Sequence, residues 1–166
     1  MEQIMIQTRS IVYACDCVYI LSNNGIVYKG PNEPSSKRDT CDFSSMGYNV
    51  VNISGCGHLF ALVTDSGKII LKTSIMPLSS AFYFGYNETH LNSIFVTGMK
   101  KKFIAVECGG SMIISLDSSG TVWTFNSKKN EFREVPRACF MEENVTLIRA
   151  GSQHCAAVTS NNVIFS

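Results

Sequence analysis

Two histidines and a handful of cysteines are the side chains on which a catalytic or metal-bound reading of this chain would rest. His58 follows Cys56-Gly57, His154 precedes Cys155, and Cys15 and Cys17 flank Asp16. Imidazole and thiolate are zinc ligands, but a closed site takes four of them, usually from two pairs at short spacing. Neither cluster has such a spacing or a second pair to complete it, and His90 has no partner at a recognisable interval. Residues two apart on a strand share a face, so Cys15 with Cys17, and Cys56 with His58, are accounted for by packing. Gly55-Cys56-Gly57 and Gly109-Gly110 lack the Lys-Ser or Lys-Thr that follows a phosphate loop, and read instead as close-packed strands. No Ser, His and Asp combination sits in a nucleophile-elbow context. The reading from these residues is no enzyme, no metal and no cofactor.

What remains is surface chemistry. Lys100-Lys101-Lys102 and Lys128-Lys129 are basic clusters, and both fall on connections between apolar segments. They are solvated loops unless an acidic partner or a phosphate faces them. Tyr83, Phe84, Tyr86 and Phe95 lie on the same long connection as Lys100-Lys101-Lys102, where aromatic rings either fill space between layers or anchor a partner. The candidate partner-binding residues are therefore Lys100, Lys101, Lys102, Tyr83 and Tyr86.

The elements that must position these residues repeat along the chain. Tyr13 to Tyr28, Ile53 to Leu71, Val106 to Trp123 and Ile148 to Phe165 each run from small residues through an apolar stretch and a polar turn to a second short apolar stretch. That is the pattern of a β-hairpin. The turns end in Gly25, Gly67, Gly120 and Asn162, where a positive φ is expected because Gly and Asn adopt it most cheaply. Gly25 to Gly67 and Gly120 to Asn162 are each 42 positions, and Gly67 to Gly120 is 53. A period of that size fits one blade of a β-propeller per repeat. The connections hold all four prolines and should carry outer strands, with Ala81 to Tyr86 and Ser93 to Val96 as candidates. No segment keeps a helical period. The expected fold is all-β, a partial propeller of about three to four blades built from repeated hairpins. One domain is expected, with repeats at about 11–50, 51–102, 103–145 and 146–166.

In order and spacing the repeats resemble the regulator of chromosome condensation repeat family. Gly151, His154 and Ala156-Ala157-Val158-Thr159 follow the family's order. The second repeat supplies Gly55, His58 and Leu59 to Val63, and the third Cys108-Gly109 with Met112 where His is usual. In the first, Cys17 stands at the His position and Gly25 to Asn32 looks like the family's hairpin end. The resemblance implies about half of a ring that commonly has about seven blades. It also makes His58 and His154 structural repeat positions, together with Gly25, Gly67 and Gly120. Family members include an exchange factor for the GTPase Ran, ubiquitin-ligase subunits and adaptors. The implied function is a non-enzymatic protein-interaction or scaffold module, the alternatives being a guanine-nucleotide exchange factor for a Ran-like small GTPase or a chromatin-associated adaptor.

Composition bounds the partners further. The 166 residues are 45% hydrophobic and 16% charged, with a formal net charge of +1, which suits a globular domain and leaves no broad footprint for nucleic acid. No apolar run is long enough to span a bilayer, and Met1 to Ser10 lacks the form of a signal peptide. A cytoplasmic or nuclear, non-secreted protein is expected, and its odd count of seven cysteines agrees with reduced thiols. An arc leaves sheet edges bare, so a homodimer, a partner chain that caps it or a contact with a parent chain is expected to complete it.

Overall fold

A computed structural model describes residues 7–31, 39–40, 47–73, 94–96, 99–110, 112–126 and 131–166. The first sheet is β1 (Thr8–Ala14), β2 (Cys17–Ser22), β3 (Val27–Pro31) and β4 (Asp39–Thr40). The second is β5 (Val50–Cys56), β6 (Leu59–Thr64), β7 (Ile69–Thr73) and β8 (Ile94–Val96). The third is β9 (Phe103–Cys108), β10 (Ile113–Asp117), β11 (Val122–Asn126) and β12 (Glu131–Glu134). After a 3-10 turn at Arg137–Phe140 comes a three-stranded sheet of β13 (Val145–Ala150), β14 (Cys155–Thr159) and β15 (Ile164–Phe165). Each sheet is an antiparallel meander in chain order, so every strand pairs with its sequence neighbour. The connections do carry outer strands: β4, β8 and β12 follow the hairpins. The Ala81 to Tyr86 segment lies outside the described residues.

The first strands β1, β5, β9 and β13 lie side by side and the sheets radiate from them, so the molecule is a four-bladed arc of a β-propeller. Three cores hold it together. Tyr19, Leu21 and Val27 of the first blade meet Ile53, Phe60, Leu62 and Ile70 of the second, with Tyr19 stacked on Phe60 at 4.0 Å. Ala61, Val63, Ile69 and Leu71 meet Phe103, Val106, Ile113, Trp123 and Phe132. Ile114, Leu116 and Val122 meet Ile148 and Ala157, with Phe140 and Phe165 closing the edge. Alternation along the second strand of each blade produces this. In β6, Phe60 and Leu62 face one neighbouring blade while Ala61 and Val63 face the other. A central blade is thus apolar on both faces.

A shift in register recurs at one place in every first strand, between Thr8 and Ser10, Val50 and Asn52, Phe103 and Ala105, and Val145 and Leu147. An extra residue there tightens the local twist.

Candidate interaction surface

Two sets of turns emerge at opposite ends of the blades. One set joins each first strand to the second. In the first blade Cys15 and Asp16 form a two-residue turn with φ of 51° and 57°, as a primed hairpin turn requires. Cys15 is therefore on the turn and not on a strand with Cys17, which corrects the shared-face reading. Gly57-His58 makes the same connection in the second blade, and residues 109–112 and 151–154 make longer ones. These turns touch across blades: the Cys15 N–H donates to the Gly57 carbonyl at 2.6 Å and the Gly110 N–H to the Ser152 carbonyl at 2.9 Å. Gly55 reads as a close approach for a definite reason. A β-carbon there would lie 2.7 Å from that of Ala14.

His58 and His154 are both exposed on this side. Counted from the buried residue that ends each second strand, Thr64 and Thr159, the position of His154 is matched by Leu59, Met112 and Cys17, while His58 lies one residue farther out. The two histidines thus do not share a register position, because the second blade's turn is shorter. The His154 ring covers Gly151, and the His58 carbonyl accepts the Cys15 thiol at 3.1 Å.

The other set of turns joins second to third strands. Gly25, Gly67 and Gly120 have φ of 80°, 81° and 79°, and Asn162 has 61°. The side chain three residues earlier organises each turn: Ser22, Thr64, Asp117 and Thr159 are all buried, and each accepts the backbone N–H four residues ahead, at 3.0 to 3.3 Å. Asp117 does most. Its carboxylate takes the Ser119 N–H and hydroxyl, the Thr121 N–H and the Trp123 indole N–H at 3.0 Å. Burial pushes this carboxyl up, but the donors together outweigh it and hold its pKa below the ordinary carboxylate value.

Each such glycine also locks its blade to the next. The N–H groups of Val50, Phe103 and Val145, at the starts of the following first strands, donate to the carbonyls of Gly25, Gly67 and Gly120, each at 3.0 Å. Here the basic cluster is placed. Lys100, Lys101 and Lys102 are exposed and lead directly into β9. The Lys102 carbonyl accepts the Ser118 N–H at 2.8 Å, its Cα and Cγ abut Gly67, and the Lys101 ammonium lies 5.3 Å from the centre of the Trp123 ring. Three adjacent cations lie where two blades meet, with Lys102 fixed through its backbone and Lys101 set over a ring. Tyr83, Tyr86, Lys128 and Lys129 lie outside the described residues.

Between the two sets of turns the first strands carry a polar row. The Ser54 hydroxyl of β5 donates to Glu107 of β9 at 3.2 Å, and Glu107 takes Arg149 of β13 at 3.0 Å. Burial raises the Glu107 carboxyl above its usual value, although Arg149 and Ser54 pull it down. Asn52 and Ser54 also reach the backbone N–H groups of Val106 and Cys108, at 2.9 and 3.0 Å. Sequence reasoning passed over these two residues because their partners are a blade away. Cys108 is buried, and burial followed by the Glu107 charge pushes its thiol far above the range in which it ionises. Among the described residues no three His, Cys, Asp or Glu side chains are grouped to hold a metal ion, and no helix is long and apolar enough to cross a membrane.

The comparison that decides the fold is with solved structures. Human WBSCR16 superposes on 99% of the chain with a TM-score of 0.77 at 19% identity. The chain has an RCC1-like β-propeller fold. Yeast RCC1 (Prp20), solved bound to Kap60, matches 95% of this RCC1-like arc with a TM-score of 0.64 at 14% identity. A catalytically inactive virginiamycin B lyase from Staphylococcus aureus matches 93% at 0.58 and 13%. The arc covers 48%, 42% and 49% of those three chains, so it spans about half the length of the structures it matches. No family model matches the sequence. No curated protein matches it either.

Proposed function

We propose that the RCC1-like arc is a non-enzymatic interaction module that offers an acidic protein surface the cations of Lys100, Lys101 and Lys102. The observation that carries this reading is the bracing of Lys101 and Lys102: Gly67 and Ser118 hold Lys102 and the Trp123 ring lies under Lys101, so docking there orders little that is not already ordered. Neighbouring folds support a protein partner in general terms, since Prp20 was solved bound to Kap60 and characterised for binding to Gsp1p and histones. The test uses a labelled Glu-rich peptide and a labelled oligonucleotide of equal charge, followed by fluorescence polarisation. Peptide binding that falls about tenfold or more in a Lys100→Glu, Lys101→Glu, Lys102→Glu variant of unchanged thermal stability supports the reading. Equal loss of both ligands, or a clear preference for the oligonucleotide, defeats it.

A second reading is nucleotide exchange on a Ran-like small GTPase, which the likeness to Prp20 favours. Release of a fluorescent GDP analogue from such a GTPase, measured with and without this chain, decides it. A rate no faster than spontaneous release removes it.

A further inference from the structure

The turn between β10 and β11 carries a cation on each flank. Its tip is Ser118-Ser119, both exposed. On one flank the Ser118 N–H is held by the Lys102 carbonyl at 2.8 Å, with Lys101 beside it over the Trp123 ring. On the other, from 18 residues downstream, the Arg137 guanidinium donates through Nη2 to the Ser119 carbonyl at 3.1 Å. The Arg137 backbone is itself fixed. Its carbonyl accepts the Glu142 N–H at 3.0 Å, and the 3-10 turn that it opens buries Phe140 against Phe165.

These cations are not neutralised from within the described chain. Arg133 pairs with Glu131 and Arg149 with Glu107, whereas Lys100, Lys101, Lys102 and Arg137 make no ion pair among the described residues. Asp117 lies under the turn, but it is 2% exposed and its carboxylate is taken up by Ser119, Thr121 and Trp123. The exposed Glu134, in register with Trp123, pairs with none of them. The Ser119 hydroxyl is bound to Asp117 at 2.6 Å, while that of Ser118 makes no hydrogen bond among the described residues. An uncommitted hydroxyl thus stands between two unpaired cations.

We propose that Lys102, Ser118 and Arg137 together take a phosphorylated serine or threonine in an acidic segment of a partner protein, an inference that rests on reading Lys100–Lys102 as an interaction surface. A carboxylate has one charge and two acceptor oxygens, so a single lysine or arginine satisfies it. A phosphoserine has a charge of about −1.5 to −2 and three acceptor oxygens, and it engages an ammonium and a guanidinium at once. By bond lengths the Lys102 carbonyl and the guanidinium lie on the order of 10 Å apart across the tip, a gap that the lysine side chain can close. The Ser119 bond orients the guanidinium and leaves further N–H groups of its planar fork to meet phosphate. Acidic residues flanking the phosphate then face Lys100 and Lys101. A nucleic-acid phosphodiester carries only one charge per phosphate, and a net charge of +1 offers no track for a run of them.

Fluorescence polarisation with two labelled Glu-rich peptides of equal net charge tests this, one carrying a central phosphoserine and the other two glutamates in its place. The wild-type chain is expected to bind the phosphopeptide about tenfold or more tighter. Arg137→Gln, with thermal stability unchanged, is expected to bring that ratio close to one. Arg137→Lys keeps the charge but not the fork, and is expected to remove most of the preference. Equal affinity of the wild type for both peptides, or a ratio that survives either Arg137 variant, overturns the proposal. So does displacement of the phosphopeptide by inorganic phosphate, or by an oligonucleotide of equal charge, at concentrations near the peptide's own Kd. A wild-type ratio of one, with both peptides lost in the Lys100→Glu, Lys101→Glu, Lys102→Glu variant, removes this inference and leaves the proposed function standing. Absence of binding by either peptide removes both.

Discussion

Replacing Gly67 with alanine and, separately, Gly57 with alanine separates two costs that the arc imposes on its glycines. Both have positive φ, 81° and 56°, and an L residue in the left-handed region pays about 1–2 kcal/mol. At Gly57 that is the whole cost, because a β-carbon there meets nothing within 4 Å. At Gly67 it would lie 2.6 Å from the Lys102 Cγ, 2.7 Å from the Lys102 Cα and 3.0 Å from the Phe103 nitrogen. The Lys102 side chain can swing away, but its Cα and the Phe103 nitrogen are backbone. The turn must retreat from β9, giving up the Phe103 N–H bond to the Gly67 carbonyl, worth about 1 kcal/mol. Retreat also loosens Phe103, which is 1% exposed between the second and third blades, and a loosened aromatic contact costs about 1–2 kcal/mol more. The expected destabilisation is about 3–5 kcal/mol for Gly67→Ala against about 1–2 for Gly57→Ala. Urea unfolding followed by Trp123 fluorescence measures both, since Trp123 lies in the core that Gly67 helps to close. Equal losses would show that the recurring glycine serves turn conformation alone and that the blade-to-blade lock contributes nothing.

Ser115 is fully buried and its hydroxyl has no hydrogen-bond partner among the described residues, so Ser115→Ala should stabilise by about 1 kcal/mol; a lower melting temperature would show a donor or acceptor there. Asp117→Asn should cost about 2–3 kcal/mol at neutral pH, because an amide cannot accept all the donors that converge on the carboxylate. The sign with pH follows from the lowered folded pKa. The carboxylate's contribution is fully present above the unfolded value of about 4 and is lost as pH falls through the folded value. Melting temperatures from neutral to strongly acidic pH should therefore fall less steeply for Asp117→Asn than for wild type, and parallel curves would remove Asp117 from the acid response.

The parts of this fold legible in the sequence are those encoded within a few residues. Ser22, Thr64, Asp117 and Thr159, each followed three residues later by Gly or Asn, specify a turn because the side-chain acceptor and the left-handed residue act over four positions. Repeated four times with apolar alternation on either side, they announce hairpins, a meander topology and blades apolar on both faces. The basic cluster could also be seen as three adjacent lysines on a connection. Which neighbours those residues meet was decided only by stacking blade on blade. The lock from Phe103 to Gly67, the reach of Asn52 and Ser54 to a strand 54 residues away, the ring of Trp123 under Lys101 and the misregister of His58 with His154 all depend on how sheets pack or how long one turn is. Periodicity in sequence reports which face of a strand is apolar. Its reading does not say whether a blade stands there to cover it, which is why Ile11 and Ile164 look like core residues in the sequence and stand exposed at the two ends of the arc.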